Sequence, residues 1–333
     1  MVVAGRLKVV AGAALALAAA ASAQELGGPL GAREEWLLAQ PRLSLVPFAA
    51  DTLAAGRSEL RLRLDWGNDF GWQQDTPGEQ PEQRSYLVDG EHRTLDLSLR
   101  HGLTRSIELE LRVPVEWRGA GSLDRVIDWY HAWSGFPDNG RRFFAIDRYR
   151  IEGMDSNDPR LTWRDTGTGL GNVELGTRVR VKGGAGWRAT LAGRLALPTG
   201  TGPYSGHGVG FGLQLGAARR LGRHFELTAG AGGAAQSATE VDSVRYERLR
   251  AHGFGALEWL VSRRWSVLAE TTASSRLVTN LAQYSGFQLY LNLGSRFRLD
   301  SGWALEAGFT EGIVNQRNTT DFAFQLGLAR RFP

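Results

Sequence analysis

The sequence predicts an all-β protein: a transmembrane antiparallel β-barrel of about twelve strands, with a short helix in a long outer loop. Three observations predict it. Apolar and polar residues alternate with a period of two in segment after segment. The links between those segments alternate between short and long. A large apolar residue opens the strand that follows each short link.

Composition removes the competing classes. The chain has 333 residues and no cysteine. That excludes a disulfide-stapled module, a thiolate metal site, a cysteine nucleophile and a lipoprotein anchor. Residues 1–23 read as a secretory signal. Arg6 and Lys8 form its charged start, Val9 to Ala20 its apolar run, and Ala21-Ser22-Ala23 its cleavage site. The formal charge of +4 includes those two basic residues, so the mature chain carries +2 and no nucleic-acid partner is expected. Beyond the signal no run of about 18 apolar residues exists, so no spanning helix is available. The 43 glycines, 11 tryptophans, 7 tyrosines and 14 phenylalanines then leave secreted all-β proteins and outer-membrane barrels.

The first element after the signal is the segment 24–56. It mixes Pro29, Pro41 and Pro47 with Trp36, Leu37, Leu38, Leu43, Leu45 and Phe48, too apolar for a free tail. It either threads into the lumen as a plug or rests against the periplasmic mouth. The barrel takes 57–333. Its first strand alternates Leu60, Leu62, Leu64 and Trp66 with Glu59, Arg61, Arg63 and Asp65. The second alternates Leu95, Leu97 and Leu99 with Asp96, Ser98 and Arg100. The third, SIELELRVPVEW, puts Ile107, Leu109, Leu111, Val113, Val115 and Trp117 on one face and Glu108, Glu110, Arg112 and Glu116 on the other. Strands led by Val173, Leu191, Val209, Phe225, Leu249, Trp265, Phe287, Trp303 and Phe322 repeat the pattern to the end of the chain.

Short links fall at His101–Arg105, Lys182–Gly186, Leu221–Arg223, Val261–Arg264 and Leu299–Gly302. Long ones fall at Gly67–Arg93, Arg118–Leu170, Pro198–Gly208, Gly233–Arg245, Ser274–Gly286 and Gly312–Thr320. Outer-membrane barrels have short periplasmic turns and long outer loops, whereas a sandwich has no reason to sort its links by end. Trp187, Phe225, Trp265 and Trp303 each follow a short link, where an aromatic ring suits the membrane–water interface as a girdle. The short turns also gather Arg105, Lys182, Arg219, Arg220, Arg223, Arg263 and Arg264, with Arg298, Arg330 and Arg331 nearby. Together these predict a basic collar for anionic headgroups. Barrels of this kind end in an aromatic that the barrel assembly machinery reads; Phe332 fits that signal, and Pro333 after it departs from the pattern by one residue.

Asp89-Gly90-Glu91, the run Arg93 to Arg100, Gly102-Leu103-Thr104, the helix-like stretch Leu123–Trp133 and the turn Leu197-Pro198-Thr199-Gly200 carry a resemblance. Together they resemble a family of Gram-negative outer-membrane proteins that carries an unknown-function label. The resemblance implies a barrel in the outer membrane. It implies no activity, no substrate and no functional residue.

Catalytic and metal motifs are sparse. The histidines His92, His101, His131, His207, His224 and His252 show no metal spacing, and no G-x-S-x-G motif is present. Gly167, Gly169 and Gly171 lack the strand–GK[ST]–helix context of a phosphate cradle. Asp155-Ser156-Asn157-Asp158 lacks the twelve-residue calcium loop. No catalytic residue, cofactor or metal is expected, and the chain reads as a non-enzyme. In the long loop, Ser122 can cap a helix whose Leu123, Val126, Ile127, Tyr130 and Trp133 share a face. This helix is expected to fold inward as a constriction or to cover the mouth with its apolar face down.

Charges on strands cannot face lipid, where an arginine at mid-membrane costs about 2–4 kcal/mol. That assigns Arg61, Arg63, Glu108, Glu110, Arg112, Arg178, Arg180, Arg188, Arg194, Glu258, Glu270 and Glu306 to the lumen, with Asp96, Arg100, Glu116, Glu174 and Glu226. The spacing predicts an arginine-rich wall around Arg178 and Arg194 facing acids at Glu226, Glu258, Glu270 and Glu306. Two functions follow, and a third, a barrel enzyme acting on lipid, would need a catalytic set assembled across strands. One is a narrow pore for a small solute, set in the membrane lipids of the outer membrane. The other is a structural or surface-interaction barrel with a plugged lumen. Free volume and unpaired charge in the lumen favour the first, and a fully ion-paired, plugged lumen favours the second.

Overall fold

The computed structural model describes residues 27–73, 86–135, 140–153, 161–163, 165–181, 186–314 and 318–333. Residues 1–23, read above as a signal, and Asp155–Asp158 and Lys182 lie outside the described residues. Twelve long strands build one sheet: β1 (Ser58–Gln73), β2 (Tyr86–Gly102), β3 (Ile107–Gly119), β4 (Glu174–Val181), β5 (Trp187–Ala196), β6 (Gly210–Leu221), β7 (Phe225–Gln236), β8 (Leu249–Leu260), β9 (Trp265–Ser274), β10 (Gln288–Arg298), β11 (Trp303–Val314) and β12 (Phe322–Phe332). Each pairs antiparallel with the next, and β12 returns to β1 with Ser58 opposite Phe332. Closure leaves no unpaired edge, which hydrocarbon would not tolerate.

The strands carry their apolar residues outward. Leu62, Leu97, Leu111, Leu175, Leu213 and Leu326 are exposed, while Glu59, Asp65, Glu108, Glu116 and Glu270 are buried. In water this would be an inverted protein with a large sticky surface. In a bilayer it is the stable arrangement, because lipid solvates the leucines and the lumen collects the charges. On β3 the outward run Leu109 to Trp117 spans about 26 Å of strand.

Three details differ from the sequence reading. Gly67–Arg93 is not all loop: the β1–β2 ladder continues to Gln73 opposite Tyr86, because the alternation runs on through Asn68, Phe70 and Trp72. The fourth strand is broken. Gly167–Leu170 pairs with the upper part of β3 and Glu174–Val181 with the lower. Pro114, which has no N–H to offer a ladder, sits near the break, and its carbonyl accepts Gly171 N at 2.9 Å. The helix α1 (Leu123–Ser134) neither enters the lumen nor covers the mouth. Its first residues sit on the outward face of β1 and β2. There Leu123 N donates to Glu91, and Asp124 accepts from Asn68 at 3.0 Å. Ser122 makes no side-chain cap; the carboxylate of Glu91 does that work from another strand. Leu123 and Ile127 are buried while Val126, Tyr130 and Trp133 are exposed, so the expected single apolar face is split.

Residues 27–53 run through the barrel interior as a hairpin. At the short-turn end Gly28 N donates to Glu258 at 2.8 Å. The chain then climbs past Glu270, which accepts Gly31 N and Ala32 N. It turns over at the short 3-10 helix Leu37–Ala39, where Leu37 N donates to Asp69 at 2.7 Å. It descends to Leu53, whose N–H reaches Glu108 at 2.8 Å. Inward-facing glycines make room for its side chains. A Cβ added at Gly212 would lie 2.6 Å from Leu45 Cδ2, and one at Gly216 would lie 2.8 Å from Phe48 Cζ. At the long-loop end the tip, Trp36 to Ala39, is buried in an apolar cluster with Tyr86, Ile151, Tyr246, Leu277, Leu281 and Tyr284.

Candidate functional site

The structure sets the strand charges read as lumen-facing against partners inside the barrel or at its short-turn mouth. Arg61 meets Glu306 at 3.1 Å and Glu59 at 3.4 Å. Arg63 meets Asp65 at 2.7 Å and donates to the carbonyls of Leu30 and Gly31 on the inner segment. Arg100 bridges Glu59 at 3.0 Å and Glu108 at 2.6 Å. Arg112 holds Asp96 in a two-pronged pair and stands 3.7 Å from Glu174. Arg178 lies 3.6 Å from Glu108 and 3.1 Å from Glu110, and Arg194 joins Glu110 at 3.2 Å to Glu174 at 2.7 Å. Arg180 and Arg188 sit lower, at the short-turn mouth, and share Asp51 of the inner segment. Arg188 also meets Glu226 at 2.8 Å.

The expected separation of an arginine wall from an acidic wall is not found. Glu108, Glu110 and Glu174 lie among the arginines of β4 and β5. On the opposite wall Arg296 pairs with Glu258 at 3.0 Å and Glu306 at 2.6 Å, and Arg298 with Glu258 at 2.7 Å. The physical reason is cost: a like-charged cluster in a narrow, water-poor lumen is expensive unless each charge meets its opposite at close range. Arg296 was missed, although the alternation Arg296, Phe297, Arg298 at the end of β10 continues the inward parity. Arg298 and Arg331 belong to this interior network, the latter 2.7 Å from Glu59, and not to a collar.

The inner segment adds charges of its own. Glu34 takes both prongs of Arg250, at 2.8 and 2.9 Å. Glu35 meets His92 at 3.1 Å, and Arg33 lies 3.5 Å from Asp96. Burial works to raise both carboxyls, but Arg250 holds Glu34 below its ordinary value and His92 does the same for Glu35. Above the turn, His207 is buried with Nε2 unpaired. Burial, helped by the nearby charges of Arg118 and Arg42, pushes it down to about 4.

Between the two limbs of the segment and the β1–β5 wall a small cavity remains, of about 80 Å³. Arg61, Arg63, Arg100, Arg112, Arg178, Arg194 and Arg331 line it, against the carboxylates of Glu59, Asp96 and Glu110. The other acids of the network stand behind the guanidinium groups. Among the described residues no three His, Asp or Glu side chains are grouped to hold a metal ion.

At the short-turn end Trp187, Phe225, Trp265 and Trp303 open β5, β7, β9 and β11. Trp265 Nε1 donates to Ser295 at 2.7 Å, and Arg219 and Arg330 lie over the rings of Trp187 and Trp303. A second aromatic row, not foreseen, crosses the outer wall nearer the long loops. Phe309, Phe324, Trp66, Arg93 and Trp117 stand opposite one another in turn on β11, β12, β1, β2 and β3. Arg93 lies over both tryptophan rings, at 4.5 and 4.6 Å.

Among solved structures, the chain shares its fold with the COG4313 outer membrane channel from Pseudomonas putida F1, with a TM-score of 0.56 and 12% identity, covering 86% of this chain and 100% of that one. The NanC porin aligns with a TM-score of 0.46 and 7% identity over 81% of this chain and 98% of its own. The KdgM porin aligns at 0.43 and 9% over 83% and 99%. No curated protein matches the sequence. The model of a family described as "Protein of unknown function (DUF3187)" matches residues 7–332, and the chain belongs to that family.

Proposed function

We propose that the protein is an outer-membrane pore for small anionic solutes, closed at rest by its N-terminal segment, with both mature termini in the periplasm. The observation that carries this reading is the guanidinium-lined cavity left between the segment and the barrel wall. The segment is held by hydrogen bonds, ion pairs and the apolar cluster at its tip, and among the described residues it shares no sheet with the wall, so it can leave without breaking the barrel. Once it leaves, the arginines that line this space are the groups a passing anion would meet. A small carboxylate or phosphate ester fits the donors, because planar guanidinium groups bind such oxyanions in two-pronged fashion.

A second reading, a structural barrel, draws support from the close ion pairing of the lumen and from the apolar cluster that seals its outer end. Planar-bilayer recordings separate the two. The full chain is expected to show rare, small openings, and a chain lacking residues 27–53 steady conductance with anion preference in a salt gradient. Arg178→Ala with Arg194→Ala should shift that preference toward cations. If both forms keep heat-resistant folding and neither conducts, the protein is a structural barrel.

A further inference from the structure

The helix α1 presents a face that the rest of the chain leaves uncovered. Trp129 and Trp133 are 65% and 74% exposed, and Val126 and Tyr130 are exposed beside them. The two tryptophan rings stack nearly parallel, 6.3 Å apart. These four positions follow the i, i+3, i+4, i+7 spacing, so they form one stripe. Leu123, Asp124 and Ile127 face the barrel wall, and Arg125, one turn before Trp129 and with a side chain 70% exposed, borders the stripe on the side away from the wall.

Where the helix lies gives the stripe its meaning. Its N-terminus rests on Glu91 and Asn68, and Arg141, just beyond it in the same loop, holds Asp124 at 2.9 Å and Asp321 at 2.7 Å. Near its other end His131 is close enough to Glu311 to act on that carboxylate. Asn68, Glu91 and Glu311 share a feature. Each is the outward residue that directly follows the aromatic row, two positions on from Trp66, Arg93 and Phe309. The helix therefore runs along the outer wall from β2 toward β11, bordering the margin of the lipid-facing belt. An exposed aromatic stripe that continues an apolar belt across its polar margin is suited to the headgroup layer, where indole and phenol rings are at home.

We propose that α1 is a membrane foot, lying on the outside of the barrel with Val126, Trp129, Tyr130 and Trp133 set into the outer leaflet at headgroup depth. The occupant of the stripe is the lipid surface itself, continuous with the belt, and Arg125, at the stripe's edge away from the wall, stays in water. The inference is independent of whether the lumen conducts.

The absence of cysteine makes the test direct. Single variants Trp133→Cys, Trp129→Cys and Arg125→Cys of the full chain carry an environment-sensitive fluorophore. Each is reconstituted into phosphatidylcholine–phosphatidylglycerol vesicles containing lipid with a nitroxide near the headgroup. Heat-resistant migration confirms folding. Expected is severalfold stronger quenching by the nitroxide at positions 133 and 129 than at 125, and the reverse order for aqueous iodide. If iodide quenches positions 129 and 133 as strongly as 125, and the nitroxide spares them, the foot is refuted and the stripe faces water for a soluble partner.

Discussion

Glu34 and Arg250 show how single residues hold the inner segment. A buried carboxylate left without its guanidinium costs about 3–5 kcal/mol. Arg250→Met should therefore loosen the segment far more than the barrel. Hydrogen exchange checks this: amides of Gly31 to Leu38 should lose protection while those of β7 and β8 keep theirs. Acid should act in the same direction. Glu34 and Glu35 are held below their ordinary values, so their contribution is present above about pH 4.3 and is lost as pH falls through the lower values of the docked state. His207 is pushed down to about 4, so it resists the proton it would take up when undocked. Docking thus weakens as pH falls from about 6.5 toward that value. His207→Gln should therefore flatten whatever part of the conductance–pH profile lies between about pH 6.5 and pH 4. Individual partners of this kind were not legible in the sequence. The parity of a strand tells which side a charge faces. Which acid meets Arg250 depends on a segment more than 200 positions away.

At the scale of elements, the strands were legible and the segments that fold against them were not. Period-two alternation fixes a strand because each neighbour must bury one face. An apolar stretch such as Gln24–Gly56 satisfies its leucines in several places. The inward glycines of β6 hold the missing information: Gly210, Gly212 and Gly216 read as weak strand residues until Leu43, Leu45 and Phe48 are seen against them. The helix failed differently. Its cap comes from Glu91, a residue on another strand, and its two apolar flanks serve two surroundings, wall and outside. The glycines yield a prediction. Gly212→Leu with Gly216→Leu places side chains where Leu45 and Phe48 now sit, and overpacking of this kind costs about 1–3 kcal/mol at each site. The outward face is untouched, so the barrel should keep its heat resistance while protease cuts between Arg42 and Asp51 become faster. Unchanged cleavage would mean that the descending limb tolerates the added volume by shifting within the lumen.

The whole molecule obeys one solvent rule. Lipid outside and a charged, narrow interior reverse the usual distribution, and the sorting of links by length follows from how such a barrel is placed. Strands close to the short turns begin with aromatics, and every described long link lies at the end where Trp36 and Tyr284 are buried. The chain enters the barrel at Gly28 and leaves it at Phe332, both at the short-turn end. Outer-membrane barrels insert with short turns toward the periplasm, because long polar loops must cross the bilayer only once. Insertion of a small epitope tests this orientation. Gly206 and Gly222 are suitable sites, since both adopt positive φ with open space around them, one in a long link and the other in a short one. Intact cells should bind antibody to a tag after Gly206 and not to one after Gly222, and permeabilised cells should bind both. Surface labelling of the Gly222 tag alone would invert the molecule, placing the N-terminal segment, its acid-sensitive contacts and the mouth of the arginine-lined cavity on the outside.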